Sequence, residues 1–162
     1  MALRRIMAPV TFADDSLEAA EVAAQLAAAL GAELVLVGIA PLSRPASPFG
    51  VDDLADAARH DEQQTVLDRI VGGRLREAAG AAPAAVPTRT MLVHGPVGPA
   101  LLAAAQDDSV DMFVVPMRRH SELGHLLHDL DDRYVLHHAG VPVLVVPIDD
   151  HAAHDQLARE AA

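Results

Sequence analysis

Met112-Phe113-Val114-Val115 and Val143-Leu144-Val145-Val146 are apolar at every position, and one helix-length stretch separates them. A strand with one wet face alternates polar and apolar residues. A run without alternation belongs to a strand covered on both faces, as in a parallel sheet. Parallel neighbours cannot be joined by a tight hairpin, so a long, right-handed crossover must lie between them, and a helix supplies it.

The rest of the chain repeats this grammar. Ile6 to Val10 reads as a first strand, and Asp15-Ser16-Leu17-Glu18 carries a capping-box pattern that starts a helix. Val22, Leu26 and Leu30 follow at i, i+4 and i+8 as its apolar stripe, Glu18, Glu21 and Gln25 take another face, and Gly31 ends it. Leu34 to Ile39 is a second strand. Pro41, Pro45 and Pro48 break the next stretch into a loop, after which Asp52 or Asp53 caps a long helix towards Ala79. In that helix Leu67, Val71 and Leu75 form a stripe, and Gly72-Gly73 marks a bend or a close packing contact. Thr88 to Val93 is a third strand, Gly95 to Pro99 a turn into a helix ending near Gln106, and a further helix runs from about Gly124 between the two apolar runs. Alternating strands and helices predict one doubly wound α/β domain with a parallel sheet covered on both faces. The domain spans 1–147, and 148–162 forms a polar, Ala-rich tail.

At 162 residues the chain fits one such domain without staples. It has no cysteine, which removes thiol nucleophiles, zinc-cysteine sites and disulfides and suits a reducing cytoplasm. The N-terminus enters a strand at once, so neither a signal peptide nor a membrane span is expected. A formal charge of −11, with Arg118-Arg119-His120 the one basic cluster, argues against nucleic-acid binding. Phe12, Phe49, Phe113 and Tyr134 are the only aromatics, which leaves few platforms for stacking a base.

The frame resembles the universal stress protein family, over roughly Leu3 to Pro147. The resemblance rests on the segment from Asp111 to Pro147, the strand-Pro9-loop-helix opening, Leu30-Gly31-Ala32-Glu33-Leu34 before the second strand, and Gly95 opening the third crossover. It implies five strands in the order 3-2-1-4-5, a stress-response role, and a homodimer formed through Val143, Leu144, Val145 and Val146 at a sheet edge. In ATP-binding members of the family a G-x-x-G-x9-G-[S/T] loop cradles the phosphates with backbone amides, which a Cβ would crowd. Aligned on the last strand, this chain has Pro116, Arg119 and Asp129 at the three glycines and Leu130 at the Ser/Thr. The aspartate those members carry after the first strand corresponds to Thr11. The resemblance thus implies the fold while speaking against ATP as a cofactor.

The residues also leave other chemistry open. Arg118, Arg119 and Ser121, with Thr11, Ala13 and Asp14 opposite, can hold a nucleotide or another anion through side chains, guanidinium groups pairing well with phosphate. His125, His128, Asp129 and Asp132 share one helical face at i, i+3, i+4 and i+7, a spacing open to a metal ion, and His151, His154 and Asp155 repeat it. Nine histidines make a pH response conceivable. Gly95-Pro96-Val97-Gly98 lacks the lysine of a phosphate loop, Ser16 lies in no nucleophile elbow, and no paired carboxylates stand in a catalytic setting. The sequence therefore gives no positive case for an enzyme. It points to a cytoplasmic homodimer with an unidentified protein partner.

Overall fold

The computed structural model describes residues 2–42, 54–118 and 129–148. Its elements follow in strict alternation: β1 (Arg5–Val10), α1 (Asp15–Leu30), β2 (Glu33–Ala40), α2 (Leu54–Ala81), β3 (Thr88–His94), α3 (Val97–Asp108), β4 (Met112–Arg118), α4 (Asp129–His138) and β5 (Val143–Ile148). The strands form one parallel sheet in the order β3-β2-β1-β4-β5. The doubly wound α/β class and the strand order are those expected. The loop containing Pro45 and Pro48 and the caps at Asp52 or Asp53 lie outside the described residues.

Alternate strand residues feed two cores. Ile6, Ala8, Val10, Leu34, Leu36 and Val114 pack beneath α1 and α2, whereas Met7, Val35, Val37, Ile39, Phe113 and Val115 meet α3 and α4 on the other face. β1 and β2 are buried almost end to end, the burial that their unbroken apolar runs predict.

The expected apolar stripe of α1 is corrected. Its buried face is Ala19, Ala20, Ala23, Ala24 and Ala27; Val22 and Leu26 only flank the core, and Leu30 is 48% exposed. Methyl-sized side chains let the helix lie close to the sheet, so the larger residues are displaced to its margins. Gly31 does end α1, at φ 64°, with its N–H on the Ala27 carbonyl. The N-cap is Asp14, one residue before the Asp15 of the expected capping box, and it makes no side-chain capping bond.

In α2, Val71 and Leu75 are buried as expected, and the helix continues through Gly72-Gly73. A Cβ at either glycine would meet nothing within 4 Å, so they mark no close packing. The close approach is at Gly38 of β2. A Cβ there would stand 3.1 Å from Val71 Cγ1, Leu75 Cδ2 and Leu92 Cδ1. Both C-terminal strands also run further than expected. β4 continues through Pro116 to Arg118, and β5 continues through Pro147 to a buried Ile148 that pairs with Arg118. The other residues of the expected tail, 149–162, lie outside the described residues.

Polar side chains tie the amino ends of the strands together. Asp111 accepts from the backbone amides of Arg4 and Arg5 at 2.8 and 3.0 Å. Glu33 bridges Arg5 at 2.7 Å and Arg89 at 3.4 Å, and Arg89 reaches Asp108 at 3.0 Å. No described helix is long and apolar enough to cross a membrane.

Candidate functional site

Strand order reverses between β1 and β4. The β1–β2 ladder runs unbroken from Arg5–Glu33 to Val10–Gly38, whereas the β1–β4 ladder holds only Ile6–Met112 and Met7–Phe113. Continued in that register, Pro9 would face Val115 and Val10 would face Pro116. Proline has no N–H to give a ladder, and one stands on each strand just beyond the last pair. The two strands part towards their carboxyl ends, where open α/β sheets bind ligands.

One wall is the β1–α1 loop, and its polar groups are occupied with one another. The Thr11 amide donates to Ser16 Oγ at 3.0 Å, the Ala13 amide donates to Thr11 Oγ1 at 3.2 Å, and Ser16 Oγ reaches the Ala13 carbonyl at 2.8 Å. Ser16, read from sequence as a helix-start residue, is 1% exposed and clamps the loop onto the first turn of α1. The Asp14 carboxylate is exposed and paired with the Arg74 guanidinium from α2. Phe12 in the same loop is 52% exposed. Thr11, Ala13 and Asp14 lie in this one loop, and the amides of Thr11 and Ala13 are not free for an anion.

The other wall begins at the end of β4. Pro116 and Met117 are half-buried strand residues paired with Val146 and Pro147, so Pro116, aligned with the first glycine of the family's phosphate loop, belongs to a strand. The reason is that Pro116 lies where no partner on β1 needs its N–H, and the strand therefore accommodates it. Arg119, His120, Ser121, Gly124, His125 and His128 lie outside the described residues, as do His151, His154 and Asp155. Asp129, Leu130 and Asp132 fall in α4. Among the described residues, no group of three or more His, Asp or Glu side chains is placed to share a metal ion.

A second polar constellation, not singled out in the sequence, lies further along the carboxyl edge. His94, at the end of β3, holds Asp68 of α2 at 2.9 Å. Gln64, one turn earlier in α2, donates to the same Asp68 oxygen at 2.9 Å and to the Pro41 carbonyl at 3.3 Å. The Gln64 hydrogen bond and, after it, His94 hold the Asp68 carboxyl below its ordinary range, against the opposing effect of partial burial. The group binds α2 to the ends of β2 and β3. Its only sequence signal was a histidine at the carboxyl end of a strand.

Comparison with known proteins agrees with this architecture. A universal stress protein in complex with cAMP shares 24% identity, covering 90% of this chain and 98% of its own, with a TM-score of 0.63. The UspA protein of Lactobacillus plantarum shares 21% identity over 90% of this chain and 99% of its own, TM-score 0.64. A universal stress family protein from Burkholderia pseudomallei shares 21% over 91% and 98%, TM-score 0.56. At these identities the likeness carries the fold alone. Among curated proteins, none matches the chain. Residues 2–147 match the Universal stress protein family as a sequence family, and with that match spanning all but the ends, the chain belongs to the universal stress protein family.

Proposed function

We propose that this chain is a cytoplasmic, non-catalytic stress-response protein that acts as a homodimer through β5 and does not bind ATP at the family's phosphate loop. The observation that carries the reading is the state of β5. It is an edge strand whose residues Val143, Leu144, Val145 and Val146 are all only half-buried, although every one is apolar. An uncovered apolar edge invites pairing with another chain.

The ladder supports a specific pairing. Phe113 donates to the Pro142 carbonyl, so the alternation of a parallel ladder turns the N–H and C=O groups of Val143 and Val145 outward. Pro147 also falls at an outward position, where its missing N–H costs no bond to β4. An antiparallel pair with its two-fold axis at Leu144 sets Val143 of each copy opposite Val145 of the other and asks nothing of Pro147. Against ATP stand the four altered loop positions, Pro116, Arg119, Asp129 and Leu130, together with Thr11, whose hydroxyl is engaged by Ala13.

A second reading has one observation in its favour. A fold neighbour is described as bound to cAMP, and here the β1–β4 ladder ends short of the carboxyl end of the sheet, where open α/β sheets bind ligands. On that reading Arg118, Arg119 and Ser121 hold a nucleotide or another anion across from Thr11, Ala13 and Asp14. Native mass spectrometry with and without ATP or cAMP separates the two. A ligand-free dimer indifferent to both, converted to monomer by Val145→Asp, supports the association reading; nucleotide uptake lost in Arg119→Ala replaces it with the second.

A further inference from the structure

The opposite edge of the sheet carries a different feature. We propose that the groove between β3 and α3 receives an extended, basic-apolar peptide segment of another protein, which adds to the sheet as a strand beside β3.

The backbone is ready for such an addition. Leu34 donates to the Pro87 carbonyl and Gly95 to the Ala40 carbonyl, with Leu34–Thr88 to Ala40–His94 in register. The parallel pattern therefore directs Arg89, Met91 and Val93 towards β2 and leaves the N–H and C=O groups of Thr88, Thr90, Leu92 and His94 pointing outward. Edge strands are usually guarded by proline or by a charge that stands free. β3 contains no proline, and its one arginine, Arg89, is drawn inward by Glu33 and Asp108.

Beside this edge lies a cavity of about 270 Å³, lined chiefly by Met91 and Val93 of β3 and by Ala100, Ala103 and Ala104 of α3. Three alanines on one helical face leave space that larger residues would fill. The volume lies below the ~300–1,000 Å³ of ordinary small-molecule sites. It suits one or two aliphatic side chains of an added strand, whose alternate residues would point into it.

Charge selects the partner. The cavity ends at Asp107 and Asp108, at the C-terminus of a helix with no basic residue in its last turn. Asp108 shares only Oδ1 with Arg89, and its buried Oδ2 has no hydrogen-bond partner among the described residues. Two carboxylates at the negative end of a helix favour a lysine or arginine there, as does the net charge of −11. The ion pair from Arg89 to Asp108 puts this acidic end beside the start of β3. The basic residue of the peptide lies there and its apolar residues lie over Met91 and Val93.

The test is selection of displayed random octapeptides on the full-length protein, followed by titration of the synthetic consensus peptide. The expected consensus alternates apolar and polar residues and carries a lysine or arginine at one end. Three variants should each weaken its binding at least tenfold while circular dichroism and melting temperature stay near wild type. Thr90→Pro removes an outward N–H that serves no internal ladder, Ala103→Leu fills the groove from an exposed helical position, and Asp107→Asn removes charge. Absence of any enriched consensus, or a consensus peptide bound equally by Thr90→Pro and Ala103→Leu, overturns the proposal. So does a fall in oligomeric state on native mass spectrometry of Thr90→Pro, which would assign the edge to a second copy of the chain.

Discussion

Single residues decide how well the carboxyl edge is held, and Ser16 is the clearest of them. Its hydroxyl accepts from Thr11 and donates to Ala13 in a setting that excludes water. Ser16→Ala should cost about 1–3 kcal/mol, the usual cost of leaving a buried polar group unmatched, read as a lower urea midpoint at unchanged slope. Gly38 behaves differently. Its neighbours at 3.1 Å are the ends of Val71, Leu75 and Leu92, which can give slightly for one methyl, so Gly38→Ala should be nearly neutral. Gly38→Val should overpack the site by about 1–3 kcal/mol. Asp68 contributes through its ionised form. Because its folded value is depressed, its contribution is complete above the ordinary carboxylate value of about 3.9 and is lost as pH falls through the lower folded value. Asp68→Asn should therefore melt below wild type at pH 5, and the gap should close as pH falls below 4.

At the scale of elements, the sequence announced which segments are strands more clearly than how they pack. Burial on both faces writes itself as an unbroken apolar run, so β1, β2 and β4 were legible, and β5 carries the same kind of run although it is only half-buried. The packing face of α1 was misread because hydrophobicity favours Val22, Leu26 and Leu30, whereas proximity to the sheet favours alanine. β4 and β5 run past the apolar runs that announce them for a related reason: Pro116 and Pro147 follow those runs directly, yet a proline whose nitrogen faces away from a ladder breaks nothing. The candidate site was legible as a place but not as a state. Spacing put Thr11, Ala13 and Asp14 in one loop, but nothing in the sequence told that the Ser16 and Thr11 hydroxyls would take up the amides of Thr11 and Ala13, or that Asp68 would meet His94 across a gap of 26 positions. For β5, a charge at half-buried Val145, whose backbone groups face outward and whose side chain flanks the second core, should be decisive. Val145→Asp should leave the monomer fold intact by circular dichroism and halve the mass seen by light scattering.

For the whole molecule, the dominant quantity is charge. Each copy carries −11 at neutral pH, so two copies brought edge to edge by β5 repel one another while apolar strands attract. Salt screens the repulsion and leaves the apolar contact in place. The proposed β5 dimer should consequently tighten as ionic strength rises from 10 to 150 mM, the opposite of an interface held by ion pairs, and sedimentation equilibrium would show it.

The early end of the β1–β4 ladder has a consequence for how the molecule comes apart. Past Met7–Phe113 no backbone pairing joins the two halves of the sheet, whereas β5 is sewn to β4 from Phe113–Val143 to Arg118–Ile148. The protein is in this sense two leaves bound along a short spine, with α1 laid across both. Thermal openings follow the weakest boundary, so amide hydrogens of β4 and β5 should exchange as one block and those of β1, β2 and β3 as another, slower one.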